Sequence, residues 1–166
     1  PDRTAALLCD GEDPAPRLIG MARTLQGAGA EILAMPCNTA HAYIDRIREA
    51  VSIPVLDMIA ETISRIRVQT IGLLATAGTV HTGLYQRMCS KAGIEIVPLL
   101  PEEQEQITRA IYGIKAGEAW EAVESAVRGV VVALGERGAQ AVIAGCTEIS
   151  LVDGAKMPLP WLDALE

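Results

Sequence analysis

Apolar positions along the chain fall into two alternating rhythms, short aliphatic runs and longer stretches with helical spacing, separated by glycine or proline. Pro14 to Gly27 places Leu18, Ile19, Ala22 and Leu25 on one face and predicts a helix with proline near its start. Glu31 to Met35 predicts a strand, His41 to Val51 a second amphipathic helix, Ile53 to Leu56 a short extended piece around Pro54, and Met58 to Arg67 another helix. The clearest strand is Thr70 to Ala75. Helical spacing returns over Thr79 to Ala92, Glu102 to Lys115 and Glu118 to Arg137, and extended segments at Ile94 to Val97 and Gln140 to Ala144 complete the pattern.

Strands alternating with helices predict an α/β fold with parallel sheets, helices on both faces and right-handed crossovers. The change of pattern from Arg67 to Gln69 divides the chain into a first lobe over residues 1–67 and a second over 68–155, with 156–166 returning to the first. The expected architecture is two similar, pseudo-symmetric lobes with the active site in the groove between them. Ligands of such sheets gather outside the carboxyl ends of the strands.

Composition narrows the function. Of 166 residues, 50% are hydrophobic, yet Phe is absent and only two Trp and three Tyr occur, so stacking platforms for single-stranded nucleic acid are not expected. A net charge of -7 supplies no field to attract nucleic acid or anionic membrane. No apolar stretch approaches a membrane span and no signal peptide is recognisable, so the expected location is the cytoplasm. The four cysteines, Cys9, Cys37, Cys89 and Cys146, form no CxxC pair, which argues against a zinc ribbon or a thioredoxin-type site.

Two of them share a setting. Gly29-Ala-Glu-Ile-Leu-Ala-Met-Pro-Cys37-Asn38 aligns without a gap on Gly138-Ala-Gln-Ala-Val-Ile-Ala-Gly-Cys146-Thr147, and each copy reads as turn, buried strand and cysteine. The repeat places each thiol just beyond a strand, where it can face its counterpart across a groove. One thiolate can remove a proton from an acidic carbon while the other, as thiol, delivers one to the opposite face, inverting a stereocentre without redox change. Asn38, Thr39, Thr147 and Glu148 beside them supply groups able to grip a carboxylate. Buried free cysteines are also ordinary apolar filler, the preferred reading for Cys9 and Cys89. Asn38 or Thr39 alone can be helix caps.

Met35-Pro-Cys37-Asn38-Thr39-Ala-His41 together with Gly145-Cys146-Thr147-Glu148-Ile149 resembles the aspartate/glutamate racemase family, the cofactor-independent amino-acid racemases. Pro1-Asp-Arg3-Thr-Ala, Gly11-Glu-Asp-Pro14, Ile71 to Thr79 and Ile111 to Gly117 extend the resemblance over nearly the whole chain. Thr147-Glu148, where glutamate racemases carry Thr-His, is closer to the aspartate-racemase branch. The resemblance implies Cys37 and Cys146 as acid/base thiols, Asn38, Thr39, Thr79 and Thr147 on the α-carboxylate side of the substrate, and Arg3 with Lys115 on its distal carboxylate. A guanidinium fork plus an ammonium is a sensible receptor for that group, although Lys and Arg are usually solvated surface cations and Lys115 also suits a helix end. It further implies no cofactor, no metal and a homodimer. Family members are normally longer at both ends, so the chain is expected to be a truncated form, starting at Pro1 without an initiator Met.

The leading expectation is therefore racemisation of an acidic amino acid, most simply aspartate, by 1,1-proton transfer between Cys37 and Cys146. Alternatives are a related cofactor-independent isomerase acting on a dicarboxylate, of the glutamate racemase or maleate isomerase type, and an inactive remnant that only binds. A zinc site from Cys37, His41 and Cys146 lacks a fourth ligand and the usual paired spacing. A pyridoxal enzyme would need a Schiff-base lysine, and among Lys91, Lys115 and Lys156 only Lys115 has a site-like context. His81 reads equally as a helix cap or a substrate contact.

Overall fold

Four of the helix starts, those of α1, α2, α4 and α5, are made by short polar side chains just ahead of them. The structure, a computed structural model, describes residues 2–166. The Asp2 carboxylate accepts from the Thr4 and Ala5 amides and opens α1 (Arg3–Leu8), and Asp13 accepts from the Ala15 amide at the entry to α2 (Ala15–Gly27). A 3-10 turn, Thr39–Tyr43, leads into α3 (Ile44–Arg48), and Asp57 caps α4 (Met58–Ser64). Then follow β1 (Thr70–Ala75), α5 (Ala77–Thr82) capped by Thr76, α6 (Leu84–Lys91), β2 (Glu95–Val97), α7 (Pro101–Ala116), α8 (Trp120–Glu136), β3 (Ala141–Gly145) and β4 (Trp161–Asp163).

The four strands form one parallel sheet in the order β2-β1-β3-β4, with Ile71 opposite Ala141 and Ala75 opposite Gly145. Successive residues of β1 and β3 enter opposite cores. Leu74, Val142 and Ala144 pack with Ile107, Ile111, Val127, Val130 and Leu134 of α7 and α8. Ile71, Leu73, Ala141 and Ile143 pack with Ile59, Ile63, Tyr85 and Cys89 on the other face. Burial on both faces is why these strands read as unbroken apolar runs and not as alternating ones.

The expectation of two similar parallel-sheet lobes needs correcting, since among the described residues one sheet forms and all of it lies after residue 69. The segments expected to be strands at Glu31 to Met35 and Ile53 to Leu56 meet only in a parallel bridge between Leu33 and Val55. Pro36 and Pro54 lack the amides a longer ladder would use, and the buried residues of the cluster beneath are Ala22, Leu33 and Ile47. Two helix expectations also change. His41 to Val51 begins as the 3-10 turn, and Thr79 to Ala92 starts earlier, at Ala77, and breaks at Gly83, whose φ of 65° is left-handed.

Two close fits hold the Cys37 loop against α4 and α1 against α5. His41, 1% exposed, donates from Nδ1 to the Cys37 carbonyl at 2.9 Å and accepts the Met58 amide on Nε2 at 3.1 Å. Because an amide can only donate, the ring is neutral with its proton on Nδ1. Burial holds its pKa below 6.5. At Gly78 in α5, an added Cβ would lie 2.9 Å from Thr4 Oγ1 and 3.0 Å from Thr4 Cα, so the absence of a side chain is what lets α1 rest there.

Gly78→Ala is expected to cost about 1–3 kcal/mol by pushing α1 outward. Gly20→Ala, mid-helix in α2 with nothing within 4 Å of the new Cβ, is expected to stabilise by about 0.5–1 kcal/mol. Thermal unfolding of the two variants checks both signs. His41 contributes stability that is complete above its unfolded pKa of 6.5 and is lost as the pH falls through its lower folded value. The midpoint of unfolding should therefore drop as pH falls below about 6.5, and His41→Asn should flatten that part of the profile.

Candidate active site

The chain leaves β1 for β2 on one side of the sheet and returns from α8 to β3 on the other, so the crossovers diverge between β1 and β3. At such a switch point the carboxyl ends of the two strands open a crevice. A cleft of about 120 Å³ lies there, walled by Thr76 beyond β1, by Gly145 to Glu148 at the end of β3, by Lys115 of α7, by Asp2 to Thr4, and by Cys37 to Thr39.

Cys146 is 6% exposed and its sulfur donates to Glu148 Oε2 at 2.9 Å. The Thr147 hydroxyl donates to the same oxygen at 2.9 Å, and Lys115 Nζ lies 3.4 Å from Oε1. Burial, and then the hydrogen bond to the carboxylate, push the Cys146 thiol up to about 12. Burial raises the Glu148 carboxyl, but hydrogen bonds from Cys146 and Thr147, with the Lys115 charge, outweigh it and hold the group below the usual carboxylate range.

Cys37 has the opposite company. The Arg3 guanidinium donates to its sulfur at 3.5 Å, and that hydrogen bond is the main reason the Arg3 pKa lies above its ordinary value. Next to it Asn38, 3% exposed, accepts the Tyr85 hydroxyl on Oδ1 at 2.6 Å. Burial keeps Tyr85 protonated, so the phenol serves as donor and fixes the amide with Nδ2 as the outward group. Nδ2 is buried and has no hydrogen-bond partner among the described residues. A buried donor left open at the wall of a cleft is expensive unless something with a lone pair sits against it.

Three threonine hydroxyls close the floor. Thr39 lies 2.8 Å from Thr79 and 3.0 Å from Thr76, and Thr76 lies 3.1 Å from Thr79. Of the residues singled out by sequence, Arg3, Cys37, Asn38, Thr39, Lys115, Cys146 and Thr147 all line the cleft, whereas Thr79 is fully buried behind Thr39 and Thr76. Glu148, singled out only as polar company of Cys146, lines it too, and so do Asp2 and Thr76, which were not among those candidates. Asp2 and Thr76 were detectable as polar residues just ahead of α1 and α5. Both nitrogens of His41 are engaged by backbone, which removes it as a ligand to a metal at Cys37 and Cys146. His81, on α5, is absent from the lining. Pro1, part of the amino-terminal motif, lies outside the described residues.

Comparison with known proteins bears on this arrangement. The chain is 26% identical over 158 residues to the broad-specificity amino-acid racemase RacX of Bacillus subtilis (strain 168), covering 93% of this chain and 69% of that one. It is 31% identical over 102 residues to the glutamate racemase of Aquifex pyrophilus, covering 52% and 40%. Among solved structures, an aspartate racemase from Picrophilus torridus superposes with a TM-score of 0.87 at 24% identity over 99% of this chain and 70% of that one. An aspartate racemase homologue from Pyrococcus horikoshii OT3 gives 0.75 at 28% identity over 90% and 68%. The pattern described as Asp/Glu/Hydantoin racemase matches residues 1–165, end to end through both cysteine motifs and every wall of the cleft, and the chain belongs to that family.

Proposed function

We propose that the chain racemises an acidic amino acid, in the first place aspartate, by moving a proton between two thiols on opposite faces of the α-carbon. The observation that carries this reading is the convergence of Cys37 and Cys146 on one cleft that also holds an unpartnered amide donor and two cations. Residues 1–67 contribute Arg3, Cys37, Asn38 and Thr39 to it, and residues 68–155 contribute Thr76, Lys115 and Cys146 to Glu148.

In this reading Asn38 Nδ2, Thr39 and Thr147 hold the α-carboxylate, with Thr79 steadying the Thr39 hydroxyl from behind. Arg3 and Lys115 receive the distal carboxylate, whose binding fixes Cα between the sulfurs. One sulfur takes the Cα proton and the other gives its proton to the opposite face. Negative charge that develops on the α-carboxylate meets donors already in place, which lowers the barrier without reorganisation. The chemistry requires no metal or organic cofactor. The Thr147-Glu148 pair favours aspartate over glutamate.

Incubating the purified chain with L-aspartate in deuterated buffer, and following the Cα–H signal together with the D-enantiomer, tests the proposal. Exchange with inversion is expected, and Cys37→Ser or Cys146→Ser should each lower it by about 10²-fold or more. A wild-type rate retained in either variant would sink the two-thiol mechanism. Tyr85→Phe leaves Asn38 Oδ1 without its donor and frees the amide to turn. The KM for aspartate should then rise about tenfold, read alongside the thermal midpoint to separate binding from folding.

A further inference from the structure

We propose that Glu148 is a positioning residue that holds Cys146 as a thiol in the free protein and so sets which enantiomer the resting site accepts. The second half of this statement rests on the racemase reading, and the first does not.

The two sulfurs occupy equivalent places in the sequence repeat, yet the groups built around them carry opposite charge. Cys146 Sγ faces a carboxylate oxygen at 2.9 Å, and a carboxylate can only accept, so that contact exists only while the sulfur keeps its proton. Cys37 Sγ faces a guanidinium, which can only donate and complements a sulfur carrying negative charge. The groups that bear on Cys146 are Glu148 and Lys115, with Asp2, Arg3 and Cys37 across the same cleft. Glu148 is held in place from two sides, by the Thr147 hydroxyl on Oε2 and by Lys115 on Oε1, so its grip on the thiol is directed by other contacts and not by chance rotation. Lys115 in turn tempers the carboxylate, and stands 5.5 Å over the Tyr112 ring.

A two-thiol racemase has two free forms. In one, Cys37 is the thiolate and Cys146 the thiol; in the other the proton sits on Cys37. Each form accepts one enantiomer, because the thiolate must face the α-hydrogen. A turnover starting from the first form breaks Cα–H and makes S–H at Cys37, then breaks S–H at Cys146 and makes Cα–H on the other face. It leaves the second form, and a proton passing between the thiols through solvent restores the first. If the two forms exchange rapidly, the ratio of the KM values for the enantiomers is proportional to the ratio of the forms. Whatever biases the proton toward Cys146 therefore shows directly in that ratio. Glu148 supplies that bias.

The test needs no substrate in its first arm. Thiolate absorbance is titrated in the wild-type chain and in Glu148→Gln, each compared with the same protein carrying Cys146→Ser so that the Cys146 signal is isolated. Glu148→Gln should lower the Cys146 midpoint by about one pH unit or more, Lys115→Gln should raise it, and Glu148→Asp should keep it close to wild type. In the second arm, Glu148→Gln should change the ratio of KM values for L- and D-aspartate by about tenfold per pH unit of midpoint shift. The kcat ratio must change by the same factor, because enantiomers of equal energy fix the two kcat/KM values as equal. A merely structural loss would lower both enantiomers' rates without moving either ratio. An unchanged Cys146 midpoint in Glu148→Gln overturns the hold on the thiol, whether or not the chain racemises. A shifted midpoint with unchanged KM ratios in an active enzyme overturns its role in choosing the enantiomer. A shifted midpoint in a chain that shows no racemisation supports the hold and counts against the racemase reading alone.

Discussion

The parallel pairing of β1 with β3 is the constraint on which the site depends. Five registered pairs, from Ile71 with Ala141 to Ala75 with Gly145, bring two chain segments about seventy residues apart to the same height, so that Thr76 and Cys146 leave the sheet side by side. Gly145 makes the last pair possible. A Cβ there would lie 2.7 Å from the Leu73 side chain and 3.1 Å from Ala75, so the strand ends on the one residue that fits and Cys146 follows at once. Cores on both faces hold this pairing, and the crevice above it is a by-product of crossovers that diverge to opposite sides.

Charge is then distributed unevenly over an arrangement that the sequence repeats evenly. The copy ending at Cys37 meets a cation delivered by α1, and the copy ending at Cys146 meets an anion two residues further along its own chain. Neither partner belongs to the repeated segment. The repeat supplies symmetry of position, and the asymmetry comes from what packs against each copy.

Much of the second half of the chain was legible because its signals are local. β1 has the bounds that its apolar run predicts, and α7 and α8 shift by only a residue or two. The first half was harder, since Glu31 to Met35 has strand composition but Pro36 and Pro54 leave it little to pair with, and a run of residues does not reveal its neighbours. Gly83 looked tolerable inside a helix, and only its left-handed backbone marks the break between α5 and α6. Within the site, the cysteines, Asn38, Thr39 and Thr147 could be found from motif and repeat. Thr76 showed only as a polar residue ahead of a helix and Tyr85 not at all, because a cap and a buried phenol join the site only through contacts across 37 and 47 positions of sequence. Thr79, expected on the α-carboxylate side of a substrate, is fully buried and stands one layer behind the cleft wall.

α7 acts as a ruler. Its first turn is pinned, with Glu103 accepting the Leu100 amide at 2.8 Å and gripping Arg137 at 2.6 Å, and Lys115 stands in its last turn just before Gly117 turns the chain away. The reach of the ammonium into the cleft is thus measured out by the number of residues between two fixed ends. Adding or deleting one would swing Lys115 by about 100° around the axis and carry it out of the cleft, whereas exchanges along the exposed face would leave it where it is. The position of the ammonium at the cleft is in this way a property of helix length, and can drift through insertions in α7 while Cys146 at the end of β3 stays untouched.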